Sequence, residues 1–458
     1  MGIKRHKSLP FLLVATGIVA SFFAFWVVSA SVNDNLSGVA RERGERIPGQ
    51  YIVVFKDSVL DVDTAENDIL SRSRGSRLDS YRSALHGFSA QFSKSDLAVI
   101  QSDPRVAFVS EDREVSIADE IRGVRAGPEV FSRIGSLANR PAPLSHNTVL
   151  AKAQTIPTGV KRIGAVGLAN TGAGVNVAVI DTGILASHPD LSGKVVGGKN
   201  CTRASGGYTD QNGHGTHVAG TIAANYNTQG VVGVAPSAKL WSVRVLDRNG
   251  NGTWSSVICG LDFVTSNASV IKVANMSLGG GGASDDKCGT TTSGPGSNDA
   301  LHKAICRARA AGVTIVVAAG NSGVNASSFV PAAYDDAVIT VSALVDTNGI
   351  SGGGGAPTSY GDDDTFASFS NYGTVVDIGA PGVWIYSTWL KNGYNTISGT
   401  SMASPHVAGA AALYIAKNPG AAWSDVRDAL VRIGEPLDAG HTDPSLKHLE
   451  PVLRADTL

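Results

Sequence analysis

The chain of 458 residues is too long for one ordinary domain, and its length predicts two or three folded units. Its 38 basic and 39 acidic side chains give a formal net charge of -1, so charge offers no argument for binding nucleic acid or an anionic membrane. The 54 glycines follow no triplet period, which excludes collagen and favours a folded protein with many tight turns.

The first 30 residues have the pattern of a secretory signal peptide. Basic residues at positions 4, 5 and 7 precede an apolar run over residues 9–28, and the small residues Ser29 and Ala30 follow. Because the apolar run approaches the ~20 residues that span a bilayer, an uncleaved membrane anchor is the alternative. Both interpretations predict export, and a membrane partner is expected only if the signal stays uncleaved.

The four cysteines all lie beyond residue 200. An even number of cysteines in an exported protein predicts two disulfides, although counting does not fix the pairing. Our working assignment joins Cys201 to Cys259 and Cys288 to Cys306. Zinc binding is the competing interpretation, but no two cysteines have the two-residue spacing of a zinc knuckle.

Residues 49–117 have the pattern of a small mixed domain. Extended runs at 51–55, 87–92 and 106–109 alternate with two helical stretches, which predicts two helices packed on a small antiparallel sheet. Residues 118–150 contain three prolines and few sustained apolar periods, so they are predicted to form a linker open to proteolysis.

The remainder, residues 151–458, alternates apolar strand-like runs with helical patterns. Runs at 175–180, 313–317 and 338–341 are continuous rather than alternating, which is typical of a parallel sheet covered by helices on both faces. In such α/β domains, functional sites form beyond the carboxyl ends of the strands.

Two motifs carry an acid and a base. Asp181 directly follows the strand-like run at 175–180, although a lone aspartate there is more often a turn residue. The motif Asn212-Gly-His-Gly-Thr-His217 flanks His214 with glycines, which allow other groups to approach the imidazole closely. Spacing does not choose between His214 and His217 as the base. A metal pair is the alternative, but no nearby acidic ligand completes it.

Two further motifs carry a nucleophile and a donor. Ser401 opens a helical run of small residues, close to the positive end of a helix dipole, where a helix-capping serine would also be found. Asn321 follows a buried-looking strand in a glycine-flanked loop, where an amide can donate to an oxyanion or simply form a turn. A serine nucleophile needs a base, an acid that orients the base, and oxyanion donors, and all four parts are present.

Through Asp181-Thr-Gly183, His214-Gly-Thr-His217 and Gly399-Thr-Ser-Met-Ala-Ser-Pro405, residues 153 to about 435 closely resemble the subtilisin-like serine peptidases, which share the order Asp, His, Ser. The resemblance implies a three-layer α/β domain with a mostly parallel sheet. It assigns Asp181 to orient His214, His214 as general base, Ser401 as nucleophile, and Asn321 as oxyanion donor beside the Ser401 backbone N–H. The implied function is that of a secreted serine endopeptidase that acts through an acyl-enzyme.

The resemblance also implies binding sites. The segment Ser277, Leu278 and Gly279 would pair with an extended peptide substrate, while the pocket floor near residues 329–333 does not align cleanly and leaves the cleavage preference open. Oxygen ligands for a strong calcium site are implied at Gln154, Asp190, Asn225, Asn227, Gln229 and Val231. Asp377 matches a weaker second cation site.

Residues 49–117 resemble the inhibitory propeptide of the same family, a small ferredoxin-like α+β domain that is removed by self-cleavage. The cut is expected either near residue 117 or just before Ala153, and the match of Gln154 to a calcium ligand favours the later position. Residues 347–364 are interpreted as a solvated surface insertion.

The expected partners are protein or peptide substrates and the chain's own propeptide, with no nucleic acid, and we expect a monomer. The alternative functions are a catalytically silent binding scaffold and a membrane-anchored processing peptidase.

Overall fold

Two large β-sheets organise the computed structural model, which describes residues 44–117, 154–284, 288 and 299–458. The predicted signal at residues 1–30 and the predicted linker at 118–150 lie outside these residues. Within the described ranges, no helix is both long and apolar enough to cross a membrane.

The N-terminal domain is a small antiparallel sheet with two helices, as predicted. Its elements are β1 (Arg46–Phe55), α1 (Val62–Ser73), β2 (Ser76–Tyr81), β3 (Gly87–Gln91), α2 (Lys94–Gln101) and β4 (Val106–Ile117). Strand β1 lies between β3 and β4 and pairs with both in antiparallel register. Both helices begin at side-chain caps, since Asp61 accepts from the Thr64 N–H and Ser93 forms a capping box with Asp96. Strand β2 was not predicted.

The second domain contains the other elements. In chain order they are α3 (Thr158–Arg162), β5 (Asn176–Asp181), β6 (Val195–Asn200), α4 (His214–Ala223), β7 (Lys239–Arg244), β8 (Asn251–Thr253), α5 (Trp254–Ser266), β9 (Ile271–Met276), β10 (Leu278–Gly281), α6 (Ala300–Ala310), β11 (Thr314–Ala318), β12 (Phe329–Val330), β13 (Ile339–Leu344), β14 (Ile378–Pro381), β15 (Ile385–Thr388), β16 (Tyr394–Ile397), α7 (Thr400–Lys417) and α8 (Trp423–Ile433).

The central sheet of this domain is parallel and covered on both faces, which confirms the predicted fold class. Its seven strands have the order β14-β13-β11-β9-β5-β7-β6, and every pairing between them is parallel. Along β5, Ala178 and Ile180 pack into one apolar cluster together with α5 and α6, whereas Val177 and Val179 pack into another together with α4 and α7. This alternation is the period of two that a strand between two helical layers requires.

The second large sheet crosses from one domain to the other. Strand β4 pairs with β1 in its own domain and with β10 and β8 of the second domain, all in antiparallel register. The prediction ended this strand near residue 109, but it continues to Ile117. Strand β1 pairs with it as far as Arg113, and β8 and β10 supply partners for residues 114–117.

Helix α5 provides the surface on which the N-terminal domain docks. The Tyr81 hydroxyl donates to the Ser255 carbonyl at 3.1 Å. One carboxylate oxygen of Asp262 accepts from three successive backbone N–H groups, those of Arg82, Ser83 and Ala84, at 2.9, 2.6 and 2.7 Å. Ionised acceptors make hydrogen bonds about twice as strong as neutral ones, so this carboxylate anchors the turn after β2.

Two disulfides tie the second domain together, and both follow the expected pairing. Cys201 is bonded to Cys259 and Cys288 to Cys306, with Cα–Cα distances of 5.8 and 5.3 Å. The first links the end of β6 to α5, and the second links residue 288 to α6. Because both bridges close loops of the unfolded chain, they limit its conformational entropy.

Most of the insertion at residues 347–364 is exposed or half-buried, in agreement with the expected surface loop, but its last two residues are not. Asp363 and Asp364 are buried, with 8% and 3% of their surface exposed. The Arg162 Nε donates to Asp364 Oδ1 at 2.7 Å, and its guanidinium also pairs with Glu435. The loop is therefore held against the domain by a buried ion pair whose cation lies about two hundred residues earlier in the chain.

Candidate active site

Asp181 is the last residue of the central strand β5 and is completely buried. The Thr182 N–H donates to its Oδ1 at 2.7 Å. A buried carboxylate needs partners to remain ionised, and the other partner is the imidazole of His214, whose Nδ1 lies 2.9 Å from both carboxylate oxygens. An ionised carboxylate can accept hydrogen bonds but cannot donate them, so the proton of this contact is on Nδ1 of His214. In this tautomer, Nε2 is the basic nitrogen of the ring.

Glycines allow His214 to approach Asp181. His214 is the first residue of α4 and follows Gly213, whose φ of 116° is in a region that side chains rarely adopt. A Cβ on Gly215 would lie 2.2 Å from the Gly183 carbonyl oxygen, so only glycine fits there. Close packing of the backbone beside Asp181 thus explains the glycine that follows His214.

His217 has a different environment, which separates the two histidines that spacing left equivalent. Its Nε2 lies 2.9 Å from the Ile385 carbonyl, and its ring packs edge-on against Trp389. Complete burial lowers the pKa of His217 to about 3, so it stays neutral at ordinary pH. This contact pattern favours a structural role.

Ser401 is the second residue of α7 and contacts the segment that follows β9. Its Oγ lies 3.2 Å from the Ser277 carbonyl oxygen, and the Ser277 hydroxyl donates to the Ser401 carbonyl at 2.8 Å. Beneath them, Asn275 Nδ2 donates to Ser277 Oγ at 2.9 Å, and Ser404 Oγ donates to Asn275 Oδ1 at 2.7 Å. Sequence reasoning missed this supporting network, which depends on the packing of α7 across β9.

Asn321 lies in the loop after β11 and is oriented by the residue before Ser401. The backbone N–H and the hydroxyl of Thr400 both donate to Asn321 Oδ1, at 2.8 and 2.7 Å. A Cβ built on Gly399 would lie 3.1 Å from Asn321 Nδ2 and 3.7 Å from the Ser401 nitrogen. Two hydrogen-bond donors therefore border one small space, and glycine at position 399 keeps that space open.

Strand β4 ends beside Ser401. Ser116 and Ile117 are opposite Gly279 and Leu278 of β10, while Ser116 is opposite Asn251 of β8 on the other side. The N-terminal domain thus places an extended peptide along the segment at residues 277–279 that was expected to bind substrate. The sequence analysis did not predict strand β8. The glycines at 250 and 252, just before α5, were the available signal that another strand could approach the backbone there.

The residues expected to bind calcium form a group of oxygen atoms around Gln154. Its Nε2 lies 2.8, 3.2 and 3.0 Å from the backbone carbonyl oxygens of Asn225, Gln229 and Val231, and 3.4 Å from Asn227 Oδ1. Asp190 is completely buried beside Gly230, and its Oδ1 has no hydrogen-bond partner among the residues that the structure describes. Converging carbonyl oxygens with an unpartnered buried carboxylate oxygen are the donor set that calcium requires.

Asp377 is not part of this group. Its Oδ2 accepts from the Thr340 N–H at 2.8 Å, and Arg427 Nε lies 3.9 Å from its Oδ1. Burial raises the pKa of Asp377 to about 7. Arg427 thus already supplies a positive charge near Asp377.

Comparison with known proteins agrees with this architecture. Residues 172–443 match the Subtilase family and residues 50–118 match Peptidase inhibitor I9. The chain is 37% identical over 430 residues to an extracellular serine proteinase of Thermus sp. (strain Rt41A), covering 88% of this chain and 90% of that one. It is 44% identical over 284 residues to subtilisin DY of Bacillus licheniformis, covering 61% of this chain and 91% of that one. A solved cold-adapted subtilisin-like serine proteinase has a TM-score of 0.52 at 36% identity, covering 65% of this chain and 97% of that one. The chain therefore belongs to the subtilase family and is a serine peptidase of that family, made as a zymogen with an inhibitor I9 propeptide.

Proposed function

We propose that this peptidase is a secreted endopeptidase in which Ser401 attacks the scissile carbonyl, His214 takes the Ser401 proton, and Asp181 orients His214. The observation that carries the proposal is the position of Ser401. Its Oγ contacts the carbonyl of Ser277, directly before the strand β10 with which the end of β4 pairs. A peptide bound in the same way would present a carbonyl to the serine.

The proposed chemistry combines the contact between Asp181 and His214 with the order of roles that the family resemblance assigns. Ser401 Oγ bonds to the carbonyl carbon as its proton passes to His214 Nε2, and the Asp181 carboxylate stabilises the imidazolium that forms. The carbonyl oxygen, now negative, accepts from Asn321 Nδ2 and from the Ser401 N–H, which border one space. His214 then protonates the leaving amine, and water releases the acyl group by the reverse sequence.

We also assign the N-terminal domain at residues 49–117 as an inhibitor that the peptidase removes itself, following a signal peptide at 1–30. Because β4 stays paired with β10 through Ile117, the register favours a first cut near residue 117. A cut just before Ala153 then becomes a second, trimming step. Names of relatives such as the extracellular serine proteinase of Thermus support secretion.

Calcium is proposed at the group formed by Gln154, Asp190, Asn225, Asn227, Gln229 and Val231. The ion would replace missing hydrogen bonds at Asp190 and hold the segment before α3 against the loop after α4. We do not extend the proposal to Asp377, because Arg427 already faces it.

A serine-directed phosphonate tests the proposed function. The mature protein should lose casein hydrolysis on treatment, and peptide mapping should find the phosphonyl group on Ser401, because only an activated hydroxyl reacts at neutral pH. Ser404, buried in the same helix, is an internal control and should stay unmodified. Hydrolysis that persists after complete labelling of Ser401, or a protein that neither reacts nor hydrolyses casein, would contradict the proposal.

A further inference from the structure

The disulfide between Cys288 and Cys306 lies beside a histidine that the proposed reaction does not use. His302 and Cys306 are one helical turn apart on α6 and so share a face of the helix, and Cys288 approaches that face from the segment before it. The two sulfur atoms and an imidazole nitrogen all lie within 4.8 Å of one another. Within the described ranges, no other three His, Cys, Asp or Glu side chains bring ligand atoms this close together.

The spacing of these atoms suits a tetrahedral metal ion. Cys288 Sγ lies 3.6 Å from His302 Nε2. In a tetrahedral zinc site with Zn–S of about 2.3 Å and Zn–N of about 2.0 Å, a sulfur and a nitrogen ligand are about 3.5 Å apart. The thiolate is the form of cysteine that binds metals, so the disulfide must be reduced before an ion can bind here.

Asp336 places a carboxylate at the same nitrogen. Its Oδ1 lies 2.8 Å from His302 Nε2, and its Oδ2 accepts from the Cys288 N–H at 2.7 Å. The ring of Tyr334 stacks on the His302 imidazole with the centroids 4.2 Å apart, which fixes the plane of the imidazole. When Nε2 gives its lone pair to an ion, it loses its hydrogen bond to Asp336. The carboxylate is then left beside the ion as a fourth donor.

We infer that the reduced chain binds one thiophilic divalent cation, with Zn²⁺ the best fit, through Cys288, Cys306, His302 and Asp336. Reduction adds two electrons and two protons to the S–S bond and gives two thiols, and metal binding then releases both thiol protons. Two thiolates, an imidazole and a carboxylate are ligands that zinc accepts in a tetrahedral site. The ion and the disulfide are alternative clamps that fasten residue 288 to α6, and neither depends on the peptidase activity.

The test uses the full-length Ser401→Ala precursor, which should not digest itself, in excess calcium so that the group around Gln154 is occupied. A phosphine reduces the disulfides and is itself oxidised to the phosphine oxide with oxygen from water. Co²⁺ is then titrated as a spectroscopic substitute for Zn²⁺. We expect one Co²⁺ per chain with a thiolate-to-cobalt charge-transfer band that disappears when Zn²⁺ is added. The oxidised precursor should not give this band.

Two double variants compare the two disulfides. Cys201→Ser/Cys259→Ser is the matched control and should keep the charge-transfer band, because that bridge has no third ligand beside it among the described residues. Cys288→Ser/Cys306→Ser should lose the band. His302→Gln should weaken Co²⁺ binding at least ~10-fold, since losing even a residue that supports a metal ligand commonly costs about 10- to 100-fold in affinity.

Zn²⁺ should also raise the midpoint of thermal unfolding of the reduced precursor and leave that of the oxidised precursor unchanged, because only the reduced folded state offers the site. Reduced precursor that takes up neither Co²⁺ nor Zn²⁺, whether it stays folded or unfolds, would overturn the inference. An equal charge-transfer band in Cys288→Ser/Cys306→Ser would overturn it too, since the thiolates would then come from the other pair. Unchanged affinity in His302→Gln would contradict the assignment of the imidazole.

Discussion

His214→Ala should stop self-cleavage of the precursor, with a loss of about 10⁶ in rate, the order of magnitude that removing this base costs in subtilisin, a member of the same family. Without an imidazole, Ser401 keeps its proton and is a weak nucleophile. The measurement is a time course of the refolded precursor followed by intact mass. At that rate, the precursor should show no cleavage over days, whereas the wild type matures.

His217→Ala is the matched control for this experiment. His217 contacts the Ile385 carbonyl and Trp389 rather than Asp181, so its loss should lower stability while the folded variant still cleaves itself. The account would be wrong if folded His217→Ala stayed intact while His214→Ala matured. Circular dichroism of both variants separates loss of chemistry from loss of fold.

Removal of calcium should lower the midpoint of thermal unfolding by on the order of 10 °C. A ligand held at ~1,000 times its Kd stabilises the folded state by about 4 kcal/mol, and 1 kcal/mol corresponds to about 2–4 °C for domains of this size. The measurement compares calcium with EDTA on phosphonate-blocked enzyme, since blocking prevents self-digestion during heating.

The variant Asp190→Asn tests whether the site at Asp190 is responsible for the effect of calcium on thermal unfolding. It keeps the shape of the side chain but removes its charge, so its midpoint should lie near that of the EDTA-treated wild type and should not respond to added calcium. Asp428→Asn, at an exposed aspartate, should respond like the wild type. An equal calcium response in Asp190→Asn and wild type would refute the assignment of Asp190.

The sequence predicted those features that depend on neighbouring residues. Continuous apolar runs gave strands such as β5 and β11, and the position of Asp181 and Asn321 at strand ends predicted one functional edge of the sheet. The resemblance of the motifs to a known family assigned a catalytic role to each of these residues. It also identified His214 rather than His217 as the base, which spacing alone did not do.

The features that the sequence did not predict depend on distant partners. The polar end of β4 extends to Ile117 through pairing with β8 and β10, which lie more than a hundred residues away. Asp364 is buried because Arg162 reaches it from α3. The position of the Phe329 ring depends on the register between β12 and β10, which no local pattern reveals. In each case the cause is a tertiary contact rather than a local propensity.

The most direct test of the central claim compares the wild-type precursor with Ser401→Ala by intact mass and N-terminal sequencing, both expressed with calcium. The account predicts that the wild type loses its N-terminal domain, with a first new terminus directly after β4 near residue 117, while Ser401→Ala keeps the domain attached. Identical maturation of the two proteins would contradict the claim, since the cut would then not depend on the Ser401 hydroxyl.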